Sequence, residues 1–138
     1  MPTSADWLLD TSAAIALVVE DHAQHVAVTQ FCRSAVLGLS GHAMLEVYSV
    51  LTRLPGAARV TPTSAARIIA QEFPASVPLG PKDALSAVSV LAHAGVAGGA
   101  VYDGLVGLAA RSAGVTLVTC DRRATPTYAA LGVDIHLL

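Results

Sequence analysis

The stretch Trp7-Leu8-Leu9-Asp10-Thr11-Ser12, followed by the apolar run from Ala13 to Val19, decides the fold class of this chain. The three apolar residues predict a short strand, and the segment from Ser12 to Glu20 predicts a helix. Asp10 therefore stands at the carboxyl end of a strand, just before a helix begins. In an open parallel α/β sheet, ligands bind at that edge, because strand ends and helix starts converge there.

Composition limits what the protein can be. The 138 residues are 54% hydrophobic and 13% charged, which predicts a single domain over residues 1–138 with one sizeable core. The formal net charge is -2, so a polyanion has to be held by a local patch rather than by an overall basic field. Cys32 and Cys120 fit no C-x-x-C pattern, which favours buried thiols in a reducing compartment. No Lys or Arg precedes Arg33, which argues against a signal peptide, and we expect a cytoplasmic protein.

One uncharged segment raises the question of a membrane. Residues Ala84 to Tyr102 approach the length of a membrane span but are rich in Ala, Gly and Ser and contain His93. A helix followed by a loop explains this segment better. We therefore expect no membrane association.

The rest of the chain alternates between helical and strand patterns. Val115 to Thr119 is the clearest strand, a β-branched and apolar run of the kind that is buried on both faces. Strands separated by helices imply an α/β fold with a mainly parallel sheet. We predict the other helices over residues 22–37, 42–54, 62–73, 82–94, 100–113 and 122–131, and the other strands over residues 76–79 and 133–138, the first of these at a sheet edge because of Pro78.

Four of the ten acidic residues stand in apolar surroundings. Asp10 and Asp121 directly follow predicted strands, so both carboxylates can emerge at the same edge of a parallel sheet. Glu46 and Asp103 interrupt apolar helix segments, where burial of an unpaired carboxylate is costly. A divalent cation shared by the four would remove that cost.

Each of these acids also has a simpler explanation. Asp10 and Asp121 are suitable N-caps for the helices that follow them. Asp103 is favoured by the helix dipole in a first turn. Glu46 belongs to a polar helix stripe with Ser49 and Arg53 that can simply face water.

The residue types in the acidic set select the metal. Carboxylates with no Cys or His at ligand spacing favour a hard cation, Mg²⁺ or Mn²⁺, held by oxygen ligands and waters. His22 and His25 are three residues apart on one predicted helix, but no third ligand accompanies them, and a solvated helix face explains them better. A hard cation of this kind lowers the pKa of a bound water, orients it for attack on phosphorus and stabilises the leaving oxygen. The set therefore indicates phosphate chemistry.

Hydroxyl and basic residues near the acids fit the same chemistry. Thr119 lies on the same side of its strand as Asp121, and Ser12 adjoins Asp10, although capping and β-propensity explain both hydroxyls equally well. Arg122 and Arg123 begin a predicted helix, where the dipole disfavours cations, and this favours a role in holding phosphate. We assign Ser12 and these two arginines as candidate substrate contacts.

The order and spacing of these residues resemble those of the PIN-domain ribonucleases, and within them those of the VapC-type toxins of bacterial toxin-antitoxin pairs. The resemblance covers nearly the whole chain and implies a three-layer α/β/α sandwich. It also implies that Asp10, Glu46, Asp103 and Asp121 are the catalytic, metal-binding acids, with Thr119 or Ser12 as a supporting hydroxyl. The stretches that carry it are Leu8 to Ala13, Leu45-Glu46-Val47, Leu51-Thr52-Arg53-Leu54, Tyr102-Asp103 and Val118 to Arg123.

The resemblance further implies a function and partners. These are a Mg²⁺- or Mn²⁺-dependent endoribonuclease acting as a toxin, a homodimer, and a small cognate antitoxin whose C-terminal segment enters the groove, in a heterotetramer or larger complex. Two features depart from the family pattern. The stretch Arg123-Ala124-Thr125-Pro126 lacks the aromatic residue that is frequent there, which bears on the packing of the last helix, and Gly107 stands where Ala is usual.

Other classes of protein fit less well. A phosphotransferase of the haloacid-dehalogenase type needs a second Asp where this chain has Ser12, and a receiver-like domain needs a late Lys, whereas Lys82 is the only lysine. A catalytically silent PIN-fold protein that binds RNA or a partner stays open as an alternative. Metal-dependent cleavage of RNA separates the two.

Overall fold

The computed structural model describes residues 3–138 as a four-stranded sheet with helices packed against it. All strand pairs are parallel, and the strand order is β2-β1-β3-β4. The strands are β1 (Trp7–Leu9), β2 (Leu37–Leu39), β3 (Leu117–Thr119) and β4 (Ile135–Leu137). The α-helices are α1 (Thr11–Val18), α2 (His25–Phe31), α3 (Ala43–Thr52), α4 (Pro62–Glu72), α5 (Pro81–His93), α6 (Ala100–Ala113) and α7 (Thr125–Ala130), with 3-10 turns at Gly56–Ala58 and Arg122–Ala124.

The two central strands are buried on both faces. Leu8 and Leu9 of β1 and Leu117 and Val118 of β3 have no exposed surface, and Leu9 pairs directly with Val118. Burial on both faces explains why these strands read as continuous apolar runs instead of alternating ones. The predicted α/β/α class with a parallel sheet is confirmed.

The sequence interpretation was wrong for β2. Residues 37–39 were assigned to the end of a helix and a glycine break, but they form a strand beside β1, and the helix before them ends at Phe31. Gly38 allows this arrangement, because a Cβ at that position would overlap the backbone carbonyl of Ala75. A three-residue strand with glycine at its centre carries almost no pattern of its own.

The predicted edge strand over residues 76–79 is reduced to a single bridge at the edge of the sheet, next to β2. Val77 makes an isolated parallel bridge with Ser40: its N–H donates to the Leu39 carbonyl at 3.0 Å and its carbonyl accepts from the Gly41 N–H at 2.7 Å. The Ala75 N–H also donates to the Leu37 carbonyl at 3.0 Å, but no regular strand forms over residues 76–79. Pro78 comes next and has no N–H to continue a ladder. The predicted helix over residues 122–131 is divided into a 3-10 turn and α7, which has Pro126 in its first turn.

The buried side chains of the described residues form one hydrophobic cluster that includes both faces of the sheet. Cys32 is a buried free thiol and Cys120 a partly buried one, in agreement with the sequence interpretation. The segment from Ala84 to Tyr102 is the second part of α5, a loop and the start of α6, as predicted. Within residues 3–138, no helix has both the length and the apolar character needed to cross a membrane.

Candidate metal centre

The four acids predicted from the sequence lie on four different elements. Asp10 follows β1 directly, and Asp121 comes two residues after β3, the strand that pairs with β1. Glu46 and Asp103 lie in the first turns of α3 and α6. Because β1 and β3 are parallel neighbours, their carboxyl ends bring Asp10 and Asp121 to the same edge of the sheet.

Asp10 is held rigidly at this edge. Only 4% of its surface is exposed, and its Oδ1 accepts hydrogen bonds from Ser12 Oγ at 2.6 Å and from the Ala13 N–H at 3.1 Å. Its Oδ2 accepts a hydrogen bond from the Tyr128 hydroxyl at 2.8 Å. Burial raises the pKa of Asp10 even though these hydrogen bonds act to lower it. Asp10 is thus an N-cap, as the simpler explanation required, but one placed where a negative charge is costly.

Asp103 lies within electrostatic reach of the other three acids. The pKa of Asp103 is raised from 3.8 to about 6, first by burial and then by the charges of Asp10, Asp121 and Glu46. A carboxylate responds to other carboxylates in this way only when they are near and poorly screened by water. Asp103 also occupies the first turn of α6, so the helix-dipole explanation is compatible with its position but does not account for its neighbours.

Glu46 and Asp121 lie at the more exposed side of the cluster. The Glu46 side chain is 35% exposed and its Oε1 lies 3.8 Å from His42 Nε2. The predicted polar stripe is only partly formed, because Arg53 donates a hydrogen bond to Ser49 Oγ at 2.9 Å while Glu46 contacts His42.

Asp121 acts as a cap as well as a member of the cluster. Its side chain is 34% exposed, and its Oδ1 accepts a hydrogen bond from the Arg123 N–H at 2.9 Å. This contact caps the 3-10 turn that begins at Arg122.

The predicted hydroxyl residues point inward and connect the two strand ends. Thr119 has no exposed surface, accepts a hydrogen bond from the Asp121 N–H at 3.1 Å and lies 3.4 Å from Ser12 Oγ. Ser12 Oγ accepts from the Cys120 N–H at 2.9 Å while it donates to Asp10. Both hydroxyls therefore fix the positions of the acids.

The two arginines face solvent. Arg122 is exposed, and the Arg123 side chain is 95% exposed with its Nε 3.7 Å from Asp121 Oδ1. They give the outer edge of an otherwise acidic site a local positive charge.

Tyr128 is a site residue that sequence reasoning missed. It is fully buried, and its phenolic proton is committed to Asp10, whose charge together with burial raises the pKa of Tyr128. Its ring fills the space beside Gly107, where an added Cβ would lie 3.0 Å from Tyr128 Cδ1 and from Val133 Cγ2. Gly107, the second departure from the family pattern, therefore stands where this ring packs against α6, and the same buried ring anchors α7. The only sign of this role in the sequence was a single tyrosine near the end of the last predicted helix.

The arrangement fits a hard cation bound through few direct ligands. Among residues 3–138, no three Asp, Glu, His or Cys side chains converge into a closed set of metal ligands. Mg²⁺ does not need such a set, because it keeps several waters and takes one or two carboxylates. The donors at this site are carboxylate oxygens. Burial raises the pKa of Asp10, and burial together with the charges of Asp10, Asp121 and Glu46 raises that of Asp103, so a cation here would offset a cost that the fold already bears.

Comparison with known proteins identifies the family. The PIN domain model matches residues 7–129, and the chain belongs to the PIN-domain family. Within that family it is related to VapC proteins along nearly its whole length. It is 43% identical over 127 residues to Ribonuclease VapC27 of Mycobacterium tuberculosis, which covers 92% of this chain and 93% of that protein. It is 38% identical over 135 residues to Ribonuclease VapC40 of the same species, which covers 94% of this chain and 96% of that protein.

The fold is also that of known structures. The solved structure of FitAB bound to an IR36 DNA fragment superposes with a TM-score of 0.73 at 19% identity, over 95% of this chain and 94% of that one. This superposition confirms the fold, and the family model and the two VapC relatives confirm the resemblance drawn from the sequence.

Proposed function

We propose that the protein is a Mg²⁺- or Mn²⁺-dependent endoribonuclease and the toxin component of a type II toxin-antitoxin pair. The observation that carries the proposal is that Asp10 and Asp121 follow the paired parallel strands β1 and β3, so that both lie at one edge of the sheet. Asp103 lies near enough for the charges of Asp10, Asp121 and Glu46 to add to burial in raising its pKa to about 6. This arrangement supports one acidic cluster over four unrelated caps. The relatives that are 43% and 38% identical are named ribonucleases, which supports RNA as the substrate.

The acids of the cluster and Thr119 have different roles in the proposed hydrolysis. A divalent cation, when bound, supplies the positive charge that activates a water and stabilises negative charge on the phosphate oxygens. Asp10 contributes a fixed carboxylate, because three hydrogen bonds hold it in one orientation. Asp103, Glu46 and Asp121 supply further carboxylates around it, of which one would bind the cation directly and the others would act through its bound waters. Thr119 is a positioning residue, since its Oγ1 holds the backbone of Asp121.

The surface around the cluster suits single-stranded RNA. Tyr102 is 54% exposed and stacks on His42 with ring centroids 5.3 Å apart, directly beside the positions of Asp103 and Glu46 in their helices. Exposed aromatic faces are platforms on which unpaired bases stack. Arg122 and Arg123 supply the local positive charge that a chain with a net charge of -2 needs to hold phosphates.

The test is cleavage of RNA by the purified protein with Mg²⁺ or Mn²⁺. We expect Asp10→Asn to abolish cleavage while the protein stays folded, and excess EDTA to do the same to the parent. Asp21→Asn, a matched change at an exposed acid outside the site, should leave cleavage intact. Full activity in Asp10→Asn, or in EDTA, would refute the metal-nuclease proposal. A parent protein that binds RNA without cutting it would support the catalytically silent alternative.

The proposal includes a partner. Following the family resemblance, we expect a small antitoxin to place an Arg among the carboxylates where the cation binds, since a guanidinium pairs well with carboxylates. Reversal of charge in the double variant Asp10→Lys, Asp121→Lys should then weaken binding of the cognate antitoxin in a pull-down. Antitoxin binding that is unaffected by these changes would contradict the proposed contact between its Arg and the carboxylates.

The proposal also includes an oligomeric state and a location: a homodimer in the cytoplasm, where RNA is available.

A further inference from the structure

A pocket with a mixed polar and apolar lining adjoins the acidic cluster. It has a volume of about 370 Å³ and is lined by the loop between α1 and α2, the start of α1 and the residues after β3. Asp121 and Arg123 belong to both the cluster and this side pocket. An extended ligand that crosses the acidic cluster can therefore continue into the side pocket. The lining residues used below are Thr11, His22, Gln24, Cys120, Asp121 and Arg123.

The loop residues give the side pocket a defined donor and acceptor. His22 Nδ1 accepts a hydrogen bond from the Gln24 N–H at 3.0 Å, so in the neutral ring the hydrogen resides on Nε2. Gln24 Nε2 donates to the Leu138 carbonyl at 3.2 Å, which leaves its Oε1 as an acceptor. His22 and Gln24 are both partly buried, and these two contacts fix their orientations.

Two further groups at the side pocket suit a polar ligand. Within residues 3–138, Thr11 Oγ1 is a buried side-chain oxygen without a hydrogen-bond partner, and Thr11 lines the side pocket. Buried hydroxyls are nearly always paired, so an orphan next to a cavity indicates a missing polar partner. Arg123, almost fully exposed at the rim, adds a cation that suits a phosphate.

We propose that the side pocket is the subsite for the nucleotide next to the scissile phosphate, and that His22 and Gln24 read the edge of its base. This inference rests on the proposed function, because it assumes that RNA crosses the acidic cluster. A lone phosphate needs neither a pocket of this size nor the Gln24 acceptor, whereas a base presents donors and acceptors to both side chains. Single-stranded RNA is recognised in this way, by side chains that bind the edges of unstacked bases.

The first experiment measures binding without cleavage. The full-length protein in millimolar Mg²⁺ is titrated with each of the four ribonucleoside monophosphates and with inorganic phosphate, and the imidazole signals of His22 are followed by NMR. We expect saturable shifts with at least one nucleotide and none with phosphate alone. Equal shifts with inorganic phosphate, or no response at His22, would overturn the assignment. A response to a short arginine-containing peptide but to no nucleotide would mean a peptide site and would overturn it as well.

The matched variant shortens the reach of the donor while keeping the turn, because the amide NH2 of Asn ends nearer to the backbone than His22 Nε2 does. In His22→Asn, the amide oxygen can accept from the backbone N–H two residues on, as the ring nitrogen does now, but the Nε2–H is lost. We expect nucleotide binding to weaken about 3- to 10-fold, the equivalent of one hydrogen bond. His93→Ala on α5, an exposed histidine outside both sites, should change nothing.

Cleavage then tests the same residue in RNA. Sequencing of the cut ends from a pool of random RNA should show that His22→Asn alters the base preference at one position adjacent to the cut. An equal loss of cleavage on every sequence, or an unchanged preference, would overturn the assignment. If nucleotides bind as expected but the parent protein cuts no RNA, the nuclease proposal fails, and the side pocket stands as a base-binding site with no scissile phosphate beside it.

Discussion

Asp103→Asn in the metal-free protein separates a true acidic cluster from a set of independent caps. The pKa of Asp103 is about 6 in the folded protein against an ordinary 3.8, so the folded state holds a proton that the unfolded chain releases between these values. The stability of the parent therefore falls as pH rises from about 4 to about 6, and above that the folded state bears the full cost of the charge. The Asn variant carries no such charge.

The magnitude follows from the pKa and from solvent screening. A pKa raised by this amount corresponds to about 3 kcal/mol in a dry site, and the partial exposure of Asp103 reduces it to about 1–2 kcal/mol. Loss of a first-turn acid from α6 costs about 0.3–1 kcal/mol in the opposite direction. The net gain at pH 7 is about 1 kcal/mol, or roughly 3–5 °C in Tm for a chain of this size.

The assay is thermal unfolding in EDTA at pH 4 and pH 7. We expect Asp103→Asn to melt higher than the parent at pH 7, with the difference shrinking or reversing at pH 4, while Asp21→Asn follows the parent. In millimolar Mg²⁺ the parent should gain stability by binding the cation in its folded state, and the variant should gain less. A variant that melts lower at pH 7 with an unaltered response to Mg²⁺ would mean that Asp103 is a helix-dipole acid and no part of a metal site.

Two other predictions concern the support of the site and the outer surface. Tyr128→Phe removes the 2.8 Å hydrogen bond to Asp10, so it should lower the free energy of unfolding by about 1–3 kcal/mol and weaken cleavage without abolishing it. Tyr48→Phe, at an exposed tyrosine, should have neither effect. Equal melting temperatures of the two variants would show that the hydrogen bond to Asp10 does not stabilise the fold. Leu85 and Val88 form an exposed apolar face on α5, and we expect this face to join two copies in the dimer. Leu85→Glu, at an 89% exposed position, should then shift sedimentation at micromolar concentration from dimer to monomer. Val26→Glu, at a 65% exposed position on α2, should leave the dimer intact. A parent that sediments only as a monomer would contradict the dimer.

The sequence determined the parts of this protein that depend on strong local patterns. The runs before Asp10 and before Asp121 are continuous and apolar because β1 and β3 are buried on both faces, and that same burial makes the acid after each of them conspicuous. Glu46 and Asp103 were found for the opposite reason, since a charged residue inside an apolar helix segment breaks the pattern. These signals were enough to predict the fold class, the family resemblance and the candidate acids.

Tertiary structure decided what local pattern cannot encode. The backbone of Ala75 packs against Gly38, at the centre of β2, and Pro78 ends the pairing beyond it. Only this close approach of two segments that are distant in sequence makes residues 37–39 a strand and not a break between helices. Tyr128 reaches Asp10 across 118 positions of sequence. The side pocket likewise joins a turn after α1 to residues after β3. Hydrogen bonds and electrostatic coupling of this kind depend on distances in space, and the order of residues along a chain does not fix them.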